Sequence, residues 1–174
     1  PPRQSVEGFA GLTWATTCST DARAMQVLGG SPTGMGSGDL YLAFDRGVID
    51  GTPRPLLTGI GRSLYEVIDH IALGTFSVDT SILSVNAETW DSLPADLQQV
   101  VADAAASRDQ MQFELVADFI DESIGRYESL GVSVKALEPA VLDNLRAATQ
   151  PVIEEWLEEV DNGSAYLDLV EETR

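Results

Sequence analysis

Residues 29–56 read GGSPTGMGSGDLYLAFDRGVIDGTPRPL, and this stretch decides the fold of the chain. Its opening glycine pair can end a preceding helix, and the glycines at 34, 36 and 38 allow close approach of the backbone to another segment or a ligand. Leu40, Ala43 and Phe44 fall at i, i+3 and i+4, which predicts one face of a short helix beginning at Asp39. A short strand over 31–35 and a two-residue apolar step at 48–49 complete the pattern. The stretch therefore predicts the order helix, strand, helix, strand, and the connecting loops should converge on one edge.

Several patterns in and beyond this stretch belong to one known type of protein. Gly-x-Ser-Pro-x-x-Met occupies 29–35, Leu-Tyr-x-Ala-Phe occupies 40–44, Arg-Gly-Val-Ile-Asp-Gly occupies 46–51 and Leu-Tyr-Glu-Val occupies 64–67. Further along, 88–105 opens with Glu-Thr-Trp-Asp-Ser-Leu-Pro and 150–156 reads Gln-Pro-Val-Ile-Glu-Glu-Trp. Together these patterns resemble the solute-binding proteins of tripartite ATP-independent periplasmic (TRAP) transporters, of the C4-dicarboxylate-binding type. Members of that family are roughly twice as long, and the chain resembles only their carboxyl-terminal half.

The resemblance implies a fold, a role and a set of partners. The implied fold is a periplasmic-binding-protein-like α/β lobe, with a short-stranded central sheet flanked by helices and one long helix. The implied role is extracytoplasmic (periplasmic) capture of a small organic acid and its delivery to TRAP membrane permease subunits. Because a two-lobe receptor closes by hinge motion around its ligand, we expect this lobe to need a missing amino-terminal lobe or to self-associate. A truncated or stand-alone α/β interaction module without transport activity is the alternative, since fold does not fix function.

Composition bounds the possibilities independently of that resemblance. At 174 residues and 44% hydrophobic, the chain can bury one sizeable core. Its 28 acidic and 10 basic residues give a net charge of -18, which repels nucleic-acid backbones and anionic lipids. No apolar run approaches the roughly 20 residues that span a bilayer. The opening Pro1-Pro2-Arg3-Gln4 has no apolar signal core, which fits a mature or truncated extracytoplasmic chain.

Along the chain we predict a linker over 1–10, the α/β lobe over 11–160, and an acidic carboxyl-terminal tail helix over 161–174. The alternating pattern predicts about five short strands, at 11–16, 31–35, 70–76, 81–85 and 132–137. A 3.6-residue apolar stripe predicts one helix from Pro94 to Leu130. Such a helix is roughly 54 Å long, whereas a domain of this size has a radius of gyration of about 16 Å. It must therefore kink or overhang the rest of the lobe.

The sequence carries no catalytic or metal-binding constellation, so we expect no enzyme activity, no cofactor and no metal. It lacks a Gly-x-Ser-x-Gly elbow and a phosphate loop ending in Gly-Lys-Ser. The single cysteine, Cys18, fits a small buried hydrophobe, and the single histidine, His70, fits a core or edge position. The Gly34-x-Gly36-x-Gly38 run lacks a third glycine at the offset that a nucleotide-binding fingerprint requires. This favours the reading that the run is a flexible backbone segment approaching a cleft.

The resemblance also implies where a ligand would bind. Family pockets draw on the end of the first strand, the loop before the Asp-Leu-Tyr helix, the segment after Asp-Gly, and the turn before the Ser-Ile-Leu-Ser strand. Each position has an ordinary structural reading as well, because large aromatics are usually core residues and Ser, Thr and Asp commonly cap or turn the backbone. The candidate ligand-binding residues are Trp14 with its neighbour Ala15, Ser37, Arg54, Phe76, Asp79 and Thr80.

Arg54 is the candidate anchor of the ligand. Family members usually end the first strand in Gly-Leu-x-x-Arg, whose arginine clamps the substrate carboxylate, but this chain has Ala15 at that position. Losing such a partner costs on the order of 3–5 kcal/mol, so a carboxylate ligand needs another cation. Arg54 lies between Pro53 and Pro55, where the prolines would hold it stiffly at the pocket rim. The alternative is a solvent-exposed loop arginine.

Overall fold

The computed structural model describes residues 5–74 and 82–172, apart from the side chains at positions 113, 114, 117 and 171. It opens with a strand, a helix and a parallel strand: β1 (Thr13–Thr16), α1 (Ser19–Val27) and β2 (Ser31–Gly34). The two strands pair in register from Thr13 opposite Ser31 to Thr16 opposite Gly34. Gly29 ends the connection in the left-handed region with φ 81°, which glycine adopts without a steric penalty. The strands predicted over 11–16 and 31–35 are confirmed, as is a helix that ends before the glycine pair at 29–30.

The helix α2 (Leu40–Asp45) follows, and its end explains why the next predicted strand is missing. Gly47 turns with φ 63°, and the Val48 N–H donates to the Ala43 carbonyl at 2.8 Å. Because this helix cap uses the backbone of Val48, the apolar step at 48–49 does not form a ladder. Only Gly51 pairs with β1, through a parallel bridge to Trp14, so a third strand is reduced to one residue pair.

The strands β3 (His70–Leu73) and β4 (Ser133–Ala136) form a second parallel pair. Residues 5–74 and 82–172 therefore contain two two-stranded parallel sheets rather than one sheet of about five strands. The predicted strand over 81–85 is wrong for 82–85, which is irregular and exposed, and position 81 lies outside the described residues. Its apolar residues Ile82, Leu83 and Val85 are 81%, 60% and 43% exposed, so they do not enter the core formed by the described residues.

Helices make up most of the remaining fold. The next helices along the chain are α3 (Leu56–Gly61), α4 (Ala87–Ser92) and the long helix α5 (Ala95–Ser129). The carboxyl-terminal end of α5 packs into the core, where Tyr127 is 1% exposed. Earlier apolar side chains on the same helix are exposed, namely Leu97, Val100, Met111, Leu115, Val116, Phe119 and Ile120. The 35-residue helix is unbroken, so it overhangs the core, which is one of the two predicted outcomes.

Two further helices, α6 (Pro139–Glu159) and α7 (Gly163–Glu172), close the chain. The first packs on α1, where the Arg23 guanidinium donates to both carboxylate oxygens of Glu155, at 2.7 and 2.5 Å. The second occupies the stretch predicted as a tail helix. At the other end, part of the predicted linker is ordered structure, because Val6–Phe9 forms a 3-10 helix and Phe9 is buried.

The core is divided into three apolar clusters that follow this layout. One joins Phe9 and α1 to α6, a second joins β1 to α2, and a third joins α3 and the end of α5 to the β3–β4 pair. The arrangement is an α/β lobe with short parallel strands flanked by helices and one long helix, as predicted.

Candidate functional site

The parallel strands place three chain segments at one edge. β1, β2 and the bridged segment at Gly51 all run in the same direction, so their carboxyl ends meet. Thr17 and Met35 directly follow the two strands, and Arg54 comes three residues after Gly51. In open α/β sheets, ligands bind in the crevice outside the carboxyl ends of the strands. We call this edge the strand-end cleft.

Arg54 is bound to both neighbouring segments of the cleft. Its Nη1 donates to the Thr17 hydroxyl at 2.9 Å, and its Nη2 donates to the Met35 carbonyl at 3.0 Å. Its Nε is buried and has no hydrogen-bond partner within residues 5–74 and 82–172. A buried N–H without a partner is costly, so this atom marks a place where an acceptor would be favoured. The side chain is half-buried, which rules out the exposed loop arginine considered from sequence.

The hydrogen bonds continue from Arg54 into α1. The Thr17 hydroxyl that accepts from Arg54 donates to the Asp21 carboxylate at 3.2 Å. The Asp21 N–H in turn donates to Cys18 Sγ at 3.4 Å, so Cys18 is the exposed N-cap of α1 and not a buried hydrophobe as predicted. The guanidinium charge is therefore linked through one hydroxyl to a carboxylate in the first turn of a helix.

The backbone beneath Arg54 is fixed at several points. The Thr52 hydroxyl donates to the Ala15 carbonyl at 2.9 Å, and the Ala15 N–H donates to the Gly51 carbonyl at 2.9 Å. Pro53 and Pro55 restrict the backbone on each side, and Pro55 is also the N-cap of α3. The arginine is thus carried by a stiff segment and is not on a loose loop.

Ser37 lies in the loop that leads from β2 to α2. It follows Met35 by two residues, is half-buried, and sits inside a turn closed by the Asp39 N–H donating to the Gly36 carbonyl at 3.1 Å. The structure therefore brings Ser37 and Arg54 to the same edge, through the carbonyl of Met35 that Arg54 binds.

Trp14 serves the core. Its ring stacks on Phe9 with centroids 4.9 Å apart, and its Nε1 donates to the Phe9 carbonyl at 3.3 Å. Gly30 and Gly51 flank the indole so tightly that a Cβ at either position would come within 2.6 Å of it. Ala15, next to it on the opposite face of β1, is completely buried against Leu40, so an arginine would not fit there without repacking.

Three of the six candidate residues, Phe76, Asp79 and Thr80, lie outside the described residues. The lone histidine, His70, is the exposed first residue of β3, in agreement with an edge position. Sequence reasoning missed Thr17 and Thr52, which hold the anchor segment. The only sequence signal for Thr17 was its place directly after a predicted strand, and the Met35 carbonyl gave no signal.

Outside the cleft, Tyr41 connects α2 to the segment at Glu66. Its hydroxyl donates to the Glu66 carboxylate at 2.8 Å, and this bond raises the pKa of Tyr41 above its usual value. Within residues 5–74 and 82–172, no three histidine, cysteine or acidic side chains are placed to hold a metal ion. None of the helices described combines the length and apolarity needed to cross a bilayer.

Comparison with known proteins settles the family. The family model for bacterial extracellular solute-binding proteins, family 7 (DctP), matches residues 2–159. The chain belongs to this TRAP solute-binding family. Among the curated relatives, the sialic acid-binding periplasmic protein SiaP of Vibrio cholerae is 25% identical over 89% of this chain. The match covers 48% of SiaP, so the chain spans about half the length of this curated relative.

Solved structures of TRAP solute-binding proteins have the same fold as this chain. The periplasmic ectoine-binding protein of the TeaABC TRAP transporter of Halomonas elongata superposes with a TM-score of 0.87 at 24% identity, over 97% of this chain and 56% of that one. A TRAP periplasmic solute-binding protein of Anaerococcus prevotii, solved with bound glucuronate, gives a TM-score of 0.89 at 22% identity, over 99% and 55%. At these identities the likeness establishes the fold alone.

Proposed function

We propose that this chain is the ligand-binding lobe of an extracytoplasmic TRAP receptor that captures a small organic acid and delivers it to membrane permease subunits. The observation that carries the proposal is the half-buried Arg54 at the strand-end cleft, fixed by Thr17 and Met35 with a buried N–H still to be satisfied. A guanidinium held in a fixed orientation suits a carboxylate, because its planar donors match the two oxygens. The role is binding without catalysis.

In this proposal Arg54 replaces the arginine that the family usually has where this chain has Ala15. The two hydrogen bonds to Thr17 and Met35 orient the guanidinium before a ligand arrives, which lowers the cost of ordering it on binding. The ligand carboxylate would then sit beyond the ends of β1 and β2, displaced toward the segment 53–55. A neutral ligand would leave the Arg54 charge uncompensated except through Asp21.

The remaining candidates complete the proposed site. Ser37 supplies a hydroxyl on the loop beside Arg54, and Phe76, Asp79 and Thr80 are kept as ligand-binding candidates on the family resemblance. Trp14 contributes as the packed support of β1, since its ring is already stacked on Phe9. A relative named for sialic acid and a similar structure solved with glucuronate support the proposal of an acid ligand.

A second lobe is part of the proposal. The chain covers 55% and 56% of the two solved receptors that share its fold, so each of them contains about as much chain again. The overhanging, apolar face of α5 supports the same idea, because a contiguous exposed apolar surface usually marks an interface. Without that lobe we expect the exposed face to drive self-association.

A stand-alone α/β interaction module remains the alternative function, and thermal melting separates the two. A ligand that binds only the folded state stabilises it by RT ln(1 + [L]/Kd), so the melting temperature rises logarithmically with ligand concentration. We expect this rise with members of a panel of mono- and dicarboxylates and uronates, and none with neutral sugars of the same size. A two-lobe receptor containing this chain that responds to none of the acids would contradict the proposal.

A further inference from the structure

A second surface feature lies where α6 and α7 meet the start of α1. An apolar groove of about 280 Å³, which we call the α6–α7 groove, is lined by Thr20, Val152, Ile153, Trp156 and Leu167. The turn between the two helices is fixed, because Asn162 adopts φ 61° and Gly163 packs against Leu157 and Trp156. The groove is therefore a built feature between packed helices.

The apolar surface extends from the groove onto the outer side of α7. Tyr166, Leu169 and Val170 follow one another at i, i+3 and i+4 and are each about half exposed or more. They adjoin Leu167, which lines the groove. An exposed apolar strip that continues a groove is the usual form of a site for an amphipathic helix.

The segment of α6 and α7 that forms most of this surface carries charge of a single sign. Residues 152–172 contain eight acidic side chains and no basic one: Glu154, Glu155, Glu158, Glu159, Asp161, Asp168, Glu171 and Glu172. Glu155 is bound to Arg23 of α1. An occupant must therefore combine an apolar face with positive charge.

We propose that the α6–α7 groove binds a cationic amphipathic helix of a partner protein. Its volume is below the roughly 300–1,000 Å³ of small-molecule pockets, but it can receive anchor side chains spaced i and i+3 or i+4. A second copy of this chain would bring the same acidic segment against itself, and an anionic membrane would be repelled in the same way. The proposal does not depend on the strand-end cleft or on its ligand.

Nuclear magnetic resonance tests the proposal with a defined probe. The probe is a 14-residue peptide of leucine and lysine, with leucines at i, i+3 and i+4, and its counterpart has glutamate in place of lysine. The three indole N–H signals report separately: Trp156 lies in the groove, Trp14 in the core stack and Trp90 on α4. We expect the lysine peptide to shift the Trp156 signal saturably and the glutamate peptide to leave it unchanged.

Two pairs of substitutions separate groove binding from general attraction to an acidic protein. The double variant Glu154→Lys, Glu158→Lys should weaken peptide binding by about tenfold or more. The control, Asp118→Lys with Asp121→Lys on α5, makes the same change in charge and should weaken binding less than about threefold. Ile153→Ser should weaken binding even at high salt, because it removes apolar contact.

Equal weakening by both charge pairs, or shifts confined to Trp14 and Trp90, would overturn the proposal. So would a Trp156 shift that grows with protein concentration alone, since that would identify a second copy as the occupant.

Discussion

Gly59 shows how much a single residue constrains this fold. It lies in α3 beneath Tyr127, whose buried hydroxyl donates to the Leu56 carbonyl at 3.1 Å. A Cβ at position 59 would overlap that hydroxyl, whereas Gly61 in the same helix faces open space. Burial also raises the pKa of Tyr127, so the hydroxyl stays protonated and available as a donor.

We predict that Gly59→Ala lowers the free energy of unfolding by about 1–3 kcal/mol, because the added methyl group overpacks this site. Gly61→Ala is the matched control and should be neutral or stabilising by up to about 1 kcal/mol, since alanine favours the helix. Urea denaturation measures both changes. In a Tyr127→Phe background the cost of Gly59→Ala should shrink, and an undiminished cost would show that the hydroxyl is not the obstacle.

At the scale of elements, the ion pair between Arg23 and Glu155 fastens α1 to α6. Hydrogen bonding and charge from Arg23 hold the pKa of the Glu155 carboxyl below 4.5. A carboxyl with a lowered folded-state pKa contributes stability above its unfolded pKa and loses that contribution as the pH falls through the folded value. The contribution is therefore present at neutral pH and absent in acid.

Arg23→Gln should accordingly lower the melting temperature at pH 7 and have progressively less effect below pH 4.5. Arg146→Gln is the control, because Arg146 pairs with Asp143 inside α6 and joins no second helix. Both variants lose one positive charge, so the difference between them isolates the contact between helices. A difference that persists unchanged at low pH would contradict the role of Glu155.

The accuracy of sequence reasoning also differs from element to element. β1, β2 and α2 were predicted within one or two residues, because glycines mark their ends and Leu40, Ala43 and Phe44 set a clear helical period. The strand predicted at 48–49 does not form, because the Val48 N–H caps α2. Apolar patterning cannot reveal this local hydrogen bond. Arg54 was chosen as a candidate because the sequence departs from a family pattern at Ala15, and its role stays a prediction. Its partners Thr17 and the Met35 carbonyl are 37 and 19 residues away and meet it only in three dimensions.

At the scale of the whole molecule, the overhang of α5 predicts association. The isolated chain should form dimers or larger species, more so at high salt, because salt screens the repulsion between chains of net charge -18. Phe119→Glu should shift the chain toward monomer, while Val48→Glu, an exposed apolar residue on another surface, should not. Light scattering measures both, and a strict monomer at every salt concentration would contradict the prediction.

The central claim is that Arg54 anchors the carboxylate of an organic acid, and calorimetry on a two-lobe receptor containing this chain tests it most directly. Arg62→Ala, which removes an exposed arginine after α3, is the matched control for charge. We predict that Arg54→Ala weakens binding of the best acid ligand by about 30-fold or more, roughly 2 kcal/mol, and that Arg62→Ala leaves it within a factor of about two. An affinity unchanged within a factor of about two in Arg54→Ala itself would remove Arg54 from the site and contradict the account.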